Sequence, residues 1–490
     1  MKKAGKQLFQ RLGALRDVQV MMEWVEKLQK EQGSGRAEIS NPKPTSTDMP
    51  DSATRREAMP GTADLWAAAL LEVLRKREKD KRHEAHSALQ DFDRKQWRQW
   101  AYSLPARAAR TRPGSALFKH LALERWTEAR QLHLRALRNR SQVAFHSLRI
   151  GIKRFRYIVE NFLPLEHAAW TEGLKEIQDL LGEVHDLDVL WSTAAACRVF
   201  PDPQSRRQCQ RIILAERKKR IDRYRLKMTG SDSLWQAWRV GLPQGKQVPA
   251  LATRRIKLWA RRLDPDFPHS EHVAGLALQL YDGLLSWGWQ PSIDASSARS
   301  SLLAASLLHD VGKSKGQKGH HKASFELIRA NGDPLGWNST DLRRAAIVAR
   351  FHSGVLPTRG HKSLRDLMPN EQKGTIQLSA ILRLANALDS GHDGHIQRIQ
   401  VENNHAARKR NQTENKNRFG SRRSRIPSNE PLIIAAEGYR RSGAAAQTIA
   451  TERFLLETVL RSPVMVIPMN HPRSQSPRLN TRPTATAPPK

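Results

Sequence analysis

Apolar residues recur every three or four positions along much of this chain, which is the spacing of helices that bury one face. The pattern predicts amphipathic helices over Leu65–Leu89 and Leu117–Leu137, and further helices within Ala250–Asp389. Short β-like runs are confined to Ile396–Val401 and Leu432–Ala436. The chain is therefore predicted to be mainly α, with a few short β-strands at its C-terminal end.

Segments rich in Pro, Ser, Gly or charge interrupt the periodic stretches and divide the chain into two predicted domains. The first domain is predicted to span residues 1–228 and the second residues 250–467, with residues 229–249 as the linker. Three further segments lack a helical pattern, and they are a flexible insertion at 33–61, a basic loop at 404–428 and a disordered tail at 468–490.

The segment Phe145–Tyr157 has two different faces when it is placed on a helix. The apolar face can enter a core and consists of Phe145, Leu148, Ile152, Phe155 and Val159. The other face is basic and consists of His146, Arg149, Lys153 and Arg156. Like charges at these spacings repel one another, so the stripe is explained more readily by a polyanion that neutralises it than by solvent alone.

The charge of the whole chain also favours an anionic partner. Its formal net charge is +35, and Leu104–Arg156 holds 13 Lys and Arg residues against two acids. Such a charge suits polyphosphate, nucleic acid or anionic lipid. The basic face has few aromatic residues for stacking on bases, and contacts to phosphate alone suit a phosphate-only polymer better than a nucleic acid.

A short pattern, LG-x-x-x-D, occurs twice, at Leu12–Asp17 and again at Leu181–Asp186. Only the second copy is preceded by a basic helix, because the same offset places the first such helix before Met1. We therefore expect a two-repeat helical bundle whose first repeat is truncated, unless the true start lies upstream.

The sequence H-x-x-R-x-x-x-K-R-x-R-Y followed by LG-x-x-x-D resembles the CHAD domain, the conserved histidine α-helical domain. Members of that family pair two helical repeats around a basic groove and bind inorganic polyphosphate. The resemblance implies polyphosphate contacts from His146, Arg149, Lys153, Arg154, Arg156 and Tyr157.

The cysteine content and the distribution of apolar residues indicate the cellular compartment of this protein. Only two cysteines occur, Cys197 and Cys209, and their setting favours reduced thiols over a disulfide. The chain has no apolar run long enough to span a bilayer and no signal-peptide pattern at its start. The sequence therefore predicts a cytoplasmic protein without a membrane partner.

Histidine and aspartate residues recur at the ends of apolar helices in the second domain. His309 and Asp310 close the run LLAASLLHDVGK, and Asp389 closes ILRLANALD. Burying such groups is costly unless they are paired or bound to metal. Imidazoles and carboxylates that arrive from successive helices can surround a divalent cation in a bundle core.

This order of residues resembles the HD phosphohydrolase superfamily, and more closely the C-terminal domain of exopolyphosphatases and guanosine pentaphosphatases. The resemblance implies that the ligands of a divalent metal, Mg²⁺ or Mn²⁺, are His269, His309, Asp310 and Asp389, with His272 as the alternative to His269. It also implies that His320 and His352 hold a second metal or a phosphate. Ala323 stands where close relatives often have another histidine.

Two functions follow for the second domain. In the first, it is a metal-dependent phosphohydrolase acting on polyphosphate or a phosphorylated nucleotide, with Asp310 holding metal and water and Lys313 or Lys322 stabilising phosphate charge. In the second, it is a non-catalytic scaffold beside a polyphosphate-binding domain, because catalysis in the exopolyphosphatase family belongs to an actin-like domain that this chain has no room for. A nucleic-acid-binding protein is the third hypothesis.

Overall fold

The computed structural model describes residues 2–39, 62–108, 111–402 and 431–469. Its internal contacts divide the chain into two compact units, Met1–Val248 and Pro249–Lys490. The predicted basic loop, nearly all of the predicted tail and most of the predicted insertion lie outside the described residues.

The first unit is helical in the part of it that the structure describes. The predicted helices over Leu65–Leu89 and Leu117–Leu137 are confirmed as α2 and α4. The helices of this unit are α1 (Lys2–Ile39), α2 (Thr62–Gln90), α3 (Arg94–Ala108), α4 (Ala116–Asn139), α5 (Gln142–Phe162), α6 (Pro164–Ala196), α7 (Pro203–Met228) and α8 (Leu234–Val240).

The two LG-x-x-x-D sequences lie on two helices that pack against each other, α1 and α6. Val18 and Val25 of α1 share a core with Leu187 and Leu190 of α6. Each of the two helices is followed by a helix that packs on it, α2 after α1 and α7 after α6. The internal repeat in the sequence is therefore also a repeat of helix order.

Helix α5 carries the basic stripe. The hydroxyl of Ser141 accepts a hydrogen bond from the backbone N–H of Ala144 and so caps its first turn. Pro164 lies immediately past its C-cap residue and opens α6, where a missing N–H is tolerated. Every residue of its predicted apolar face is buried, as the spacing predicts.

The predicted linker at 229–249 contains a helix that the sequence did not predict, α8. Trp235 and Trp238 of this helix are buried, with their ring centroids 5.5 Å apart in an edge-to-face arrangement. Seven residues are too few to display a helical period, yet two indole rings bury enough apolar surface to fix the segment. Helix α3 was likewise not predicted.

The second unit is also mainly helical, with a small sheet near its C-terminal end. Its elements are α9 (Gln247–Leu263), α10 (Phe267–Trp287), α11 (Ala295–Leu308), a 3₁₀ turn (Val311–Lys315), α12 (His320–Asn331), α13 (Ser339–Arg350), α14 (Lys362–Arg365), α15 (Pro369–Leu388), β1 (Ile399–Val401), β2 (Leu432–Ala436), α16 (Ala444–Glu452), α17 (Phe454–Leu460) and β3 (Val464–Pro468).

Strand β2 is central in the sheet, antiparallel to β1 and parallel to β3. The run Leu432–Ala436 is a strand as predicted, the run Ile396–Val401 is a strand only from Ile399, and β3 was not predicted. The mainly helical fold class is confirmed. No helix among the described residues is both long and apolar enough to cross a bilayer.

Helices α10, α11 and α13 pack around α15, which is buried over most of its surface. His309 is the C-cap residue of α11 and Asp389 is that of α15. Both side chains are buried and lie where an apolar helix ends. The turn after Asp310 needs Gly312, because a Cβ there would lie 2.0 Å from the carbonyl oxygen of His320. That close approach brings α12 against the end of α11.

Candidate metal centre and basic face

The carboxylate of Asp310 lies at the centre of a buried cluster of imidazoles. On one side, its Oδ2 lies 3.5 Å from His309 Nε2 and 4.0 Å from His269 Nε2. On the other side, its Oδ1 lies 3.3 Å from His320 Nε2 and 3.7 Å from His352 Nε2. Among the described residues, the candidate ligand atoms of each of these two groups lie within 4.8 Å of one another.

Hydrogen bonds to the backbone fix the tautomers of three of these histidines. The Nδ1–H of His309 donates to the carbonyl of Ser306 at 2.7 Å. His320 and His352 donate in the same way to the carbonyls three residues before them, at 2.9 and 2.7 Å. Each Nε2 is then left with a lone pair, and each is directed at Asp310. This is the arrangement in which imidazoles bind metals.

Several of these atoms lack a partner that could satisfy them. His309 Nε2 and Asp310 Oδ1 are buried without a hydrogen bond to any described residue. His320 Nε2 and His352 Nε2 lie 3.1 Å apart, so two acceptors face each other. Buried acceptors that point at one another are unfavourable unless a cation lies between them. The donor set therefore fits divalent cations.

Asp389 contacts His269 rather than Asp310. His269 donates its Nδ1–H to Asp389 Oδ2 at 2.7 Å, and the N–H of Gly394 donates to Asp389 Oδ1 at 2.9 Å. Asp389 belongs to neither ligand group among the described residues. In this position it orients the ring of His269, as carboxylates behind metal-binding histidines do. His272 instead faces the carbonyl of Ile396, at 2.9 Å.

The ionisation of the cluster suits cation binding. Burial lowers the pKa of both His309 and His352, so these imidazoles are neutral at pH 7. Burial raises the pKa of Asp310, but His309 and His352 in their protonated forms and the Lys313 ammonium outweigh it and hold that pKa below its usual range. Lys313 Nζ lies 2.5 Å from Asp310 Oδ2, while Lys322 is exposed.

Residues that the sequence did not single out support the cluster. The side-chain amide of Asn386 lies 3.1 Å from His269 Nε2. His392 stacks on His269 with ring centroids 3.7 Å apart, and its Nδ1 lies 2.6 Å from Asp266. The only signal for His392 was its occurrence three residues after Asp389, which does not distinguish it from other loop histidines.

A buried arginine, Arg383, anchors the loop that carries His352. It donates to the carbonyls of Phe351 at 3.0 Å and Gly354 at 3.1 Å, and it pairs with Glu452 at 2.6 Å. Arg383→Met should lower the free energy of unfolding by about 3 kcal/mol, because it leaves buried polar partners unpaired. Thermal and denaturant unfolding of the full chain measure this loss.

The matched control for Arg383→Met is Arg299→Met, which removes an ion pair to Asp282 whose two side chains are about half exposed. Exposed pairs contribute about 0–1 kcal/mol, so this variant should stay close to the parent protein. Equal losses in the two variants would contradict the anchoring role of Arg383.

The predicted polyphosphate contacts on α5 do not all point the same way. Arg154 is exposed and pairs with Glu128 of α4 at 3.1 Å. Arg156 lies 3.5 Å from Glu160, and the Lys153 ammonium lies 5.7 Å from the centre of the Tyr157 ring. The basic stripe is therefore partly neutralised at Arg156, and Arg154, which lies outside the stripe, is paired with α4.

The end of this stripe meets both LG-x-x-x-D sequences. His146 of α5 and His185 of α6 face each other, with their Nδ1 atoms 3.4 Å apart. Burial raises the pKa of Asp186 to about 6; Arg149 opposes this shift and Asp17 adds to it. The sequence identifies both aspartates as motif positions but does not show that Arg149 and Asp17 both act on the charge of Asp186.

Comparison with known families agrees with these two units. Residues 1–195 match the CHAD domain, and residues 253–422 match domain III of the Ppx/GppA phosphatase family. A search of curated proteins found no match to this chain. A CHAD domain beside a Ppx/GppA domain III points to polyphosphate or a related phosphate compound as the ligand of this protein.

Proposed function

We propose that this chain is a polyphosphate-binding protein whose second unit is an HD-type, metal-dependent phosphohydrolase. Its substrate is polyphosphate or a phosphorylated nucleotide. The observation that supports the proposal best is the position of Asp310, whose two oxygens each face a separate pair of imidazole nitrogens. A structural role for this carboxylate would not require four histidine Nε2 atoms within 4.0 Å of it.

The residues of the cluster have separate roles in this proposal. His269, His309 and Asp310 hold one cation, and Asp310, His320 and His352 hold the other. A bound divalent cation supplies a water of lowered pKa and polarises a phosphoryl oxygen. Asp389 orients His269 through its Nδ1, and Lys313, 13% exposed beside Asp310, is placed to contact incoming phosphate oxygens.

The first unit supplies the binding of the polymer. Arg149 and Lys153 form no ion pair with an acidic side chain among the described residues, and they lie on the face of α5 that also carries His146. A chain of phosphates offers the repeated negative charge that such a stripe needs. Polyphosphate is therefore the favoured partner of this face, ahead of nucleic acid.

One observation favours a second candidate function, a non-catalytic scaffold. The ammonium of Lys313 lies 2.5 Å from Asp310 and partly neutralises the cluster without any metal. A protein of this kind would bind polyphosphate through its first unit and hydrolyse nothing.

Metal analysis of the purified chain, together with phosphate release, tests the two functions. The phosphohydrolase should retain divalent metal and release phosphate from polyphosphate, guanosine pentaphosphate or another nucleoside polyphosphate. Protein without bound metal and without phosphate release after Mg²⁺ or Mn²⁺ is added would favour the scaffold.

Polyphosphate affinity should rise as the pH falls through about 6, because Asp186 has its pKa raised to about 6 and becomes neutral there. Its charge opposes a polyanion at Arg149, so protonation should strengthen binding by about 1 kcal/mol, or about fivefold in Kd. The charged groups that act on Asp186 are Arg149 of α5, Asp17 and Arg16 of α1, and Glu183 of its own helix. Titration of labelled polyphosphate at pH 5.5 and pH 8 measures the change.

Asp186→Asn is the control for this pH effect, since it fixes the side chain in a neutral form of the same shape. The variant should bind more tightly than the parent at pH 8 and show a smaller dependence on pH. A variant with the full pH dependence of the parent would rule Asp186 out as its source.

A further inference from the structure

A cavity of about 480 Å³ lies in the second unit, between α12, α13 and the segment that begins at His361. No member of the two ligand groups around Asp310 lines it. Its walls combine rings with positive charges, and the side chains that matter here are Phe325, Phe351, His361, Arg343, Arg350 and Lys362. Cavities of this size hold small ligands in many proteins.

Arg350 is the unusual member of this wall. Its guanidinium lies over the ring of Phe351, 5.6 Å from the centroid, and its Nη1 is buried without a hydrogen-bond partner among the described residues. Native proteins rarely leave a buried guanidinium nitrogen unpaired, so the missing partner needs an explanation.

The charges around the cavity do not supply that partner. Arg343 pairs with Asp366 at 3.2 Å, and this pair is largely exposed. Four lysine and arginine side chains line the cavity against two carboxylates, so positive charge is in excess.

We propose that this cavity binds a phosphate group and that Arg350 is its central contact. The planar fork of a guanidinium matches two oxygens of a phosphate, and such charge-assisted hydrogen bonds are strong. The volume exceeds that of one phosphate, and Phe325, Phe351 and His361 offer flat surfaces beside the cations. The phosphate can therefore belong to a short inorganic chain or to a nucleotide. This site goes beyond the proposed hydrolysis because it uses none of the metal-binding residues.

Calorimetry on the full chain tests the site, with Arg149→Glu, Lys153→Glu and Arg156→Glu present to remove binding by the first unit. Chelator is added, and the probes are orthophosphate, tripolyphosphate and ATP. Saturable binding of at least one probe is expected, and Arg350→Met should weaken it at least about tenfold because a charged hydrogen-bonding group is lost. Arg350→Lys should bind with intermediate affinity, since it keeps the charge and loses the fork.

Arg398→Met is the matched control, because Arg398 is exposed beside β1 and does not line the cavity. It should bind the probes like the parent. The unfolding midpoint of Arg350→Met without ligand should not fall, since the change removes a buried Nη1 that has no hydrogen-bond partner among the described residues. A stable Arg350→Met protein that loses phosphate therefore separates binding from folding.

The three probes distinguish the sources of the phosphate. Tighter binding of tripolyphosphate indicates an inorganic chain, and tighter binding of ATP indicates a nucleotide, so each of these results supports the site. Binding of no probe, or undiminished binding by Arg350→Met, would overturn it. Asp310→Asn should leave the binding intact, so a failure of the proposed hydrolysis does not affect this result.

Discussion

Asp310→Asn should remove bound divalent metal from the second unit and abolish phosphate release. The physical reason is that one carboxylate faces both ligand groups, with Oδ2 towards His269 and His309 and Oδ1 towards His320 and His352. An amide of the same shape carries no charge and is a poor ligand for Mg²⁺ or Mn²⁺ in place of a carboxylate. Metal content per chain by mass spectrometry gives a readout that does not depend on knowing the substrate.

Single histidine variants make this prediction more specific. His269→Ala should remove metal from the first group only, and His352→Ala from the second group only, so each should retain part of the metal that Asp310→Asn loses. Asp282→Asn is the control, because Asp282 is a half-exposed carboxylate on α10 that pairs with Arg299. If Asp310→Asn retained as much metal as Asp282→Asn, the proposed metal centre would be wrong. Polyphosphate binding by the first unit should survive in all four variants.

Replacing Arg149, Lys153 and Arg156 together by Glu should abolish polyphosphate binding. Each charged contact to a phosphate contributes about 1–2 kcal/mol, so the loss of three should weaken binding by at least about 100-fold. The affinity of the parent should also fall steeply with salt, by analogy with the counterion release seen for nucleic acids. Titration of polyphosphate at several salt concentrations measures both effects, and circular dichroism checks that helical content is unchanged.

A second charge reversal controls for net charge. Arg75, Lys76 and Lys79 are exposed on α2, and replacing them by Glu changes the charge of the same unit by the same amount. This variant should keep most of the affinity of the parent. Reversed charges could unfold α5, so a second variant replaces Arg149, Lys153 and Arg156 by Gln, which removes their charge without reversing it. This variant should also bind polyphosphate weakly. If the α2 and α5 variants bound polyphosphate equally, the binding would depend on the net charge of the unit and not on the basic stripe of α5.

Matched measurements with single-stranded DNA decide whether the face prefers a phosphate-only polymer.

The helices with long apolar periods could be predicted from the sequence, since spacing alone determines which side of a helix is apolar. The buried face of α5 is an example, because Phe145, Leu148 and Ile152 repeat at helical spacing over several turns. Short elements could not be predicted in this way. The helix α8 has seven residues, and the strand β3 forms only because β2 offers it a parallel edge.

In the candidate metal centre, too, some residues could be identified from the sequence and others only from the structure. The sequence pattern was enough to single out His309, Asp310 and Asp389, because polar groups at the ends of apolar runs need partners wherever the chain places them. That pattern did not choose between His269 and His272, which lie three residues apart, and the preference for His269 came from the family resemblance. Only packing settles their directions, with His269 towards Asp310 and His272 towards the carbonyl of Ile396.

The sequence by itself determined which basic residues, histidines and carboxylates this protein has, and on which predicted helices they lie. The tertiary structure decided which of them meet. It directed Asp389 at the Nδ1 of His269, brought Arg149 and Asp17 close enough to Asp186 to shift its pKa, and left Nη1 of Arg350 without a hydrogen-bond partner among the described residues. The physical reason is that helical spacing is a local property of the chain, whereas distances between side chains from different helices depend on how those helices pack.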